Sequence, residues 1–120
     1  MTTTHALSAS TLTGDTVRNA AGDDLGSLHE IVIDLDSGRV AYAVLAAGGF
    51  LGMGEKFFAI PWDLLTVDTD NEEVILNVEK EILQNAPGFD KDNWPLTTDR
   101  AWISEVFSYY GSKPYWEVTD

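Results

Sequence analysis

Two histidines and two short runs of carboxylates are the residues here whose types suit catalysis or metal binding. His5 lies in a Thr-rich lead-in. His29 has the same strand parity as Ile31 and Ile33, which places it near one end of a β-structure as a partly buried, hydrogen-bonded side chain. Neither has a serine or a paired acid at a recognised spacing, so the sequence gives no support to a nucleophile–base–acid arrangement. Asp34 and Asp36 run into Ser37-Gly38-Arg39, which breaks the ligand pattern of a calcium loop, and no glutamate stands at its twelfth position. Asp68, Asp70 and Glu72 read as the solvated tip of a hairpin, with weak cation binding as the alternative. With no cysteine in the chain, thiolate zinc sites, iron–sulfur clusters, disulfides and cysteine nucleophiles are excluded. No cofactor and no metal site is expected.

Glycine supplies the other candidate. Gly48-Gly49-Phe50-Leu51-Gly52-Met53-Gly54 carries four glycines around two large apolar side chains. A dinucleotide loop needs Gly-x-Gly-x-x-Gly opening a helix, and a phosphate loop needs Gly-Lys-Ser/Thr. Here the glycine spacing runs the other way and Gly54 is followed by Glu55. The loop is expected to fold Phe50 and Leu51 back onto the domain. The alternative is a glycine-flexed apolar tip offered to a partner.

The elements that must position these residues are mostly short strands. Thr16 to Arg18, Leu25 to Leu35, Arg39 to Ala47, Lys56 to Ile60, Thr66-Val67 and Val74 to Val78 alternate with Gly, Asn and Asp turns at roughly ten-residue spacing, which suits a small barrel or sandwich. Ile31, Ile33 and Leu35 share one parity. Arg39 to Ala47 is apolar on both faces and reads as central or packed on both sides, its alanines allowing close approach by another element. Trp62 to Leu65 reads as a helical turn after Pro61, burying Trp62 and Leu65. Beyond Glu79 the pattern becomes helical: Lys80 to Ala86 first, then a helix capped by Thr97 or Thr98 and stopped at Gly111, with Asp99 in its first turn. Trp102, Val106 and Tyr109 form one stripe on it, and Ile103, Phe107 and Tyr110 the next. That face packs on the barrel or against another subunit.

Charge narrows the partners. The 120 residues carry 20 Asp and Glu against seven Lys and Arg, a formal net charge of -13, and the basic residues do not cluster in sequence. Such a field repels nucleic acid and anionic lipid. It serves solubility, or a saline environment, or attraction of a basic partner. The N-terminus reads as neither basic nor apolar enough for a secretory signal, and no stretch reaches the ~20 apolar residues of a membrane span. A soluble cytoplasmic protein without direct membrane insertion is expected.

From Gly22 onward the blocks Gly22-Asp23-Asp24-Leu25-Gly26, Ile31-Val32-Ile33-Asp34, Gly38-Arg39-Val40, Tyr42-Ala43-Val44, Gly48-Gly49-Phe50-Leu51-Gly52, Glu55-Lys56 and Ile60-Pro61-Trp62 resemble the PRC-barrel family. This family includes the cytoplasmic part of the photosynthetic reaction-centre H subunit and the C-terminal domain of the ribosomal maturation factor. The region from Ala86 to Trp116 is similar to the extension of stand-alone acidic bacterial members. The resemblance implies a mainly β protein, a small PRC-type β-barrel with a C-terminal α-helical extension. Its expected parts are a flexible lead-in over 1–11, the barrel over 12–79 and an aromatic-rich helical extension over 80–120. It transfers no catalytic residues, and this chain lacks both the H subunit's membrane helix and the maturation factor's N-terminal domain.

The function expected is therefore non-enzymatic: protein binding or self-assembly as a homo-oligomer, in a general or stress-associated role. Candidate interface residues are Phe50, Leu51, Trp102, Val106, Phe107, Tyr110, Tyr115 and Trp116. The alternatives are a small-ligand or cation-binding module, with a pocket between barrel and C-terminal helix, and an enzyme of unrecognised type.

Overall fold

A computed structural model describes residues 6–47, 56–90, 94 and 99–117. Six strands form one mixed sheet in the order β4-β3-β2-β1-β6-β5, where β1 is Thr16–Arg18, β2 Asp24–Ile33, β3 Val40–Ala47, β4 Lys56–Ile60, β5 Leu65–Asp68 and β6 Glu73–Leu76. Every neighbouring pair is antiparallel except β1 with β6, which run parallel. The sheet curls into a half-barrel, and the described residues add three helices: α1 (Ala9–Leu12), α2 (Lys80–Gln84) and α3 (Arg100–Tyr109). The fold is thus mainly β with a helical C-terminal part, as expected. The glycine loop with Phe50 and Leu51 lies outside the described residues.

Curling gives the sheet two cores. Inside the half-barrel Val17, Leu25, Leu28, Ala43, Leu45, Phe58, Ile60, Val74 and Leu76 pack with Leu12 of α1 and Leu83 of α2. On the outer face Tyr42, Val44, Ala46, Phe57 and Ala59 meet Phe89 and the apolar side of α3, namely Ile103, Val106 and Phe107. Strand β3 is consequently buried on both faces, which is why its sequence shows no apolar–polar alternation. In β4 the same logic sends Phe58 and Ile60 inward and Phe57 and Ala59 outward. The edge of β4 is closed at Phe57, which exchanges two backbone hydrogen bonds with Phe89, at 2.9 and 2.8 Å.

Strand β2 departs from the parity read in its sequence. Irregularities between Leu28 and Glu30, and again between Val32 and Ile33, shift its register against β3. Each extra residue in a bulge reverses the facing of the residues beyond it. Leu25, Leu28 and Ile31 therefore point to the inner core, while His29 is exposed and lies against the Phe57 ring at a centroid distance of 4.8 Å. The expectation of a partly buried His29 is corrected by that bulge. Leu35 does not continue the strand at all: β2 stops at Ile33 and Leu35 is 92% exposed.

Four smaller expectations change. The lead-in ends in the short helix α1, whose Leu12 is core. The 3₁₀ turn Trp62–Leu64 forms, but Trp62 and Leu65 are only half-buried. Helix α2 stops at Gln84 rather than Ala86. The N-cap of α3 is Asp99, whose carboxylate accepts the Trp102 backbone N–H at 3.1 Å. Asp99 holds non-helical backbone angles and satisfies one of the donors left open at a helix start, the role assigned from sequence to Thr97 or Thr98. At the other end Gly111, with φ +75°, lets its own N–H reach the Ser108 carbonyl and the Ser112 N–H reach Phe107, a Schellman closure. That closure sets the direction in which the chain leaves α3.

Candidate functional site

The C-terminal segment leaves Gly111, crosses back and ends in a second 3₁₀ turn, Tyr115–Glu117, laid over the β2–β3 turn. The β2–β3 turn is rigid for local reasons. The Asp34 N–H donates to the Arg39 carbonyl and the Gly38 N–H to the Asp34 carbonyl, both at 2.8 Å, and the Asp34 carboxylate accepts the N–H groups of Asp36 and Ser37 at 2.9 and 3.1 Å. This is the side-chain-to-backbone mimicry that makes Asp a turn former. Gly38 supplies the positive φ of +74° that the return to β3 requires.

Two contacts join the C-terminal segment to this turn, and a third joins it to α3. The Tyr115 hydroxyl donates to the second oxygen of Asp34, and the Arg39 guanidinium donates to the Tyr115 carbonyl at 3.2 Å. Arg100, at the start of α3, lies over the Trp116 ring at 4.7 Å, a cation–π contact. Tyr115 also packs on Phe107 and Trp116, at centroid distances of 6.4 and 5.1 Å. We call this segment the strap. It gathers Arg39, Arg100 and Lys113, three of the chain's seven basic residues, around one short stretch. In sequence they lie far apart, so the statement that the basic residues do not cluster holds along the chain but not in space.

Electrostatics at the strap follows from the Tyr115–Asp34 contact. Hydrogen bonding from Tyr115, then from the Ser37 backbone, holds the Asp34 carboxyl below its ordinary value of 3.8. Burial, and then the bond to Asp34 and its negative charge, push the Tyr115 phenol up to about 12. The two shifts have opposite pH consequences. Asp34 adds stability that is present above the ordinary carboxyl range and is lost as pH falls through its lowered value. Tyr115 adds stability that is present below pH 10.0 and is lost as pH rises toward about 12. In the Tyr115→Phe variant Asp34 is expected to titrate closer to its ordinary value, while the alkaline loosening of the strap disappears. Both are read from the Asp34 carboxyl carbon and the Trp116 indole by NMR across pH. An unchanged Asp34 titration would mean that the contact does not form in solution.

The sequence-predicted interface residues have different fates. Val106 and Phe107, 1% and 2% exposed, are taken up by the chain's own outer core. Trp102 is half-buried and meets Tyr42 edge-on at 5.9 Å. Tyr110 is half-buried between the two cores. Its hydroxyl and that of Tyr42 are buried with no hydrogen-bond partner among the described residues, and burial raises the pKa of both phenols. Tyr115 and Trp116 are half-buried in the strap. Of the outer stripe, Tyr109 stays exposed, its hydroxyl donating to the Ile82 carbonyl and so tying α3 to α2.

Sequence reading missed Asp34, Arg39 and Trp62 as neighbours of the strap. Asp34 and Tyr115 are 81 residues apart, and no local pattern signals such a pairing. Among the carboxylates singled out from sequence, Asp68 accepts hydrogen bonds from the Asn71 side chain and backbone at 2.8 and 3.2 Å, and this holds its pKa below the ordinary value. The described residues contain no group of three His, Asp or Glu able to hold a metal ion.

The fold and the comparisons with known families agree. The model of the PRC-barrel domain matches residues 5–83, two thirds of the chain. The chain belongs to the PRC-barrel family. No curated protein shows significant similarity to it. The match runs from the lead-in to α2, so the six strands and the inner core are the PRC-barrel proper. Helix α3 and the strap lie outside the match and cover the barrel's outer face. No described helix of this PRC-barrel is long and apolar enough to cross a membrane.

Proposed function

We propose that this PRC-barrel is a non-enzymatic docking module that binds protein, with a second copy of itself as the first partner to test. One observation carries the reading. Leu35, 92% exposed, stands on the β2–β3 turn and lines one surface depression with Ile33, 45% exposed, and with the half-buried strap residue Tyr115. An apolar side chain held fully in water on a turn stiffened by Asp34 contributes nothing to the fold, and it is pre-organised to enter a partner. Within the interface drawn from sequence, Tyr115 is its neighbour. The Phe50-Leu51 tip remains a second candidate surface.

Solution mass by light scattering, over a range of protein and salt concentrations, tests this. Two chains of charge -13 repel one another, so self-association is expected to strengthen as salt screens them. Leu35→Asp, on an exposed turn where the fold is indifferent to it, is expected to weaken assembly about tenfold or more. A monomer at every concentration and salt would overturn self-assembly. Assembly unaffected by Leu35→Asp would remove the hairpin tip from the interface.

A further inference from the structure

Helix α3 is held on the barrel by side chains alone. The sheet is complete at Leu76, before the chain reaches α3, and among the described residues no backbone hydrogen bond joins α3 to a strand. What seats it is the apolar contact of Ile103, Val106 and Phe107 with the outer face of β3 and β4, together with the Tyr109 hydroxyl bond to the Ile82 carbonyl. The strap packs on α3 through the Phe107–Tyr115 and Arg100–Trp116 contacts, and adds two hydrogen bonds to the β2–β3 turn. Helix and strap can therefore leave together while every strand pairing stays intact.

The interface beneath α3 contains polar atoms that it does not satisfy. Tyr42, on the outer face of β3, is 1% exposed and meets the Trp102 ring of α3 edge-on. Tyr110 closes α3 and packs between the two cores. Both hydroxyls are buried with no hydrogen-bond partner among the described residues. The barrel treats its own buried polar residue otherwise. Asn19 donates to the Asp23 carboxylate and the Val78 carbonyl at 3.0 and 3.2 Å, and accepts from the Asp23 N–H at 2.9 Å. A buried hydroxyl without a partner destabilises the arrangement that buries it, and it regains hydrogen bonds as soon as water reaches it. Phenylalanine would fill either place without that penalty, so both hydroxyls weigh on one equilibrium, the seating of α3.

From these two hydroxyls and the side-chain-only attachment, we infer that α3 and the strap form a lid that opens as a unit while the six-stranded barrel stays folded. Opening hydrates the hydroxyls of Tyr42 and Tyr110 and bares the apolar outer face of β3 and β4. Burial of Ile103, Val106 and Phe107 keeps the closed state dominant, and the two hydroxyls narrow its margin. Such sub-global opening is drawn from parts of a fold that carry few hydrogen bonds to the rest. The family match ends at residue 83, so the lid is an addition to the barrel rather than a piece of it. It is a property of the single chain and does not rest on the docking reading.

The test is native-state amide hydrogen exchange on the full chain, read by NMR at several low urea concentrations. The amides of residues 103–107 are expected to exchange through an opening about tenfold or more as frequent as the one that exposes residues 43–45, and with a smaller dependence on urea. Tyr42→Phe changes a residue of β3, yet it is expected to slow the α3 amides about tenfold, as is Tyr110→Phe, since each removes an unpartnered hydroxyl from the closed lid. Tyr109→Phe is the same chemical change at a bonded hydroxyl and is expected to speed them about fivefold. The inference is overturned if the α3 and β3 amides share one exchange rate and one urea slope, which would mean that the helix leaves only when the barrel unfolds. It is overturned equally if Tyr42→Phe or Tyr110→Phe speeds the α3 amides or leaves them unchanged. The hydroxyl would then be bonded in the closed state, or would stay covered while the helix exchanges.

Discussion

Gly26→Ala is expected to destabilise the protein by about 4 kcal/mol, enough to lower its urea midpoint by about 2 M. Gly26 has φ +133° near the start of β2, next to the register shift where Val17 pairs with Gly26 but Arg18 pairs with Asp24. A Cβ there would lie 2.2 Å from the Ala46 carbonyl oxygen, 3.1 Å from its carbon and 3.2 Å from the Ala47 Cα. All three are backbone atoms of the doubly buried strand β3, so no side chain can swing away to relieve the contact. Backbone strain at positive φ contributes about 1–2 kcal/mol, and displacing the centre of the sheet the rest. The matched control is Gly38→Ala. Gly38 also has positive φ, yet nothing lies within 4 Å of its added Cβ, so it should show the strain alone, about 1 kcal/mol. If both variants unfold at the same urea concentration, the close approach of β2 to β3 is not as described.

Phe107→Ala is the second large effect, about 4 kcal/mol, from transfer and cavity terms together. The ring is 2% exposed, sits in the outer core with Tyr42, Val44 and Ala46, and seats Tyr115 on its other side. Its loss should therefore propagate to the strap, returning the Asp34 carboxyl toward its ordinary value, a change measurable by the same NMR titration. Phe107→Leu, which keeps most of the volume, should cost about 1.5 kcal/mol and leave the strap seated. A Phe107→Ala variant within about 1 kcal/mol of the parent would show that α3 is not packed on its own barrel. The helix face would then be left for another subunit to cover.

Which parts of this molecule were legible in its sequence depends on the range of the interactions involved. Strand β3 was legible because its side chains report their surroundings directly: apolar on both parities means covered on both faces. The stop of α3 at Gly111 was legible because a left-handed residue after a helical stripe has a local cause. Strand β2 was not, since a bulge at His29 leaves no residue signature there yet reverses every side chain beyond it. The cap of α3 was misplaced by one or two residues for a related reason: Thr97, Thr98 and Asp99 are all competent caps, and only backbone geometry chooses among them. The strap site was legible only in part: Phe107 and Tyr115 stood among the candidate interface residues, but their partners did not. It joins residues 34, 39, 62, 107, 113 and 115, and no local pattern pairs residues so far apart in the chain.

The outer face of β3 and β4 also sets an order of events during synthesis. Tyr42, Val44, Ala46, Phe57 and Ala59 leave the ribosome well before Ile103, Val106 and Phe107, which cover them, because some forty residues separate β4 from α3. At ordinary elongation rates the nascent barrel carries a bare aromatic face for on the order of seconds. Over that interval it is a substrate for chaperones and for its own neighbours on the same message. Any change that delays or shortens the C-terminal part should therefore appear first as lost yield in the cell, before it appears as lost stability in the purified protein.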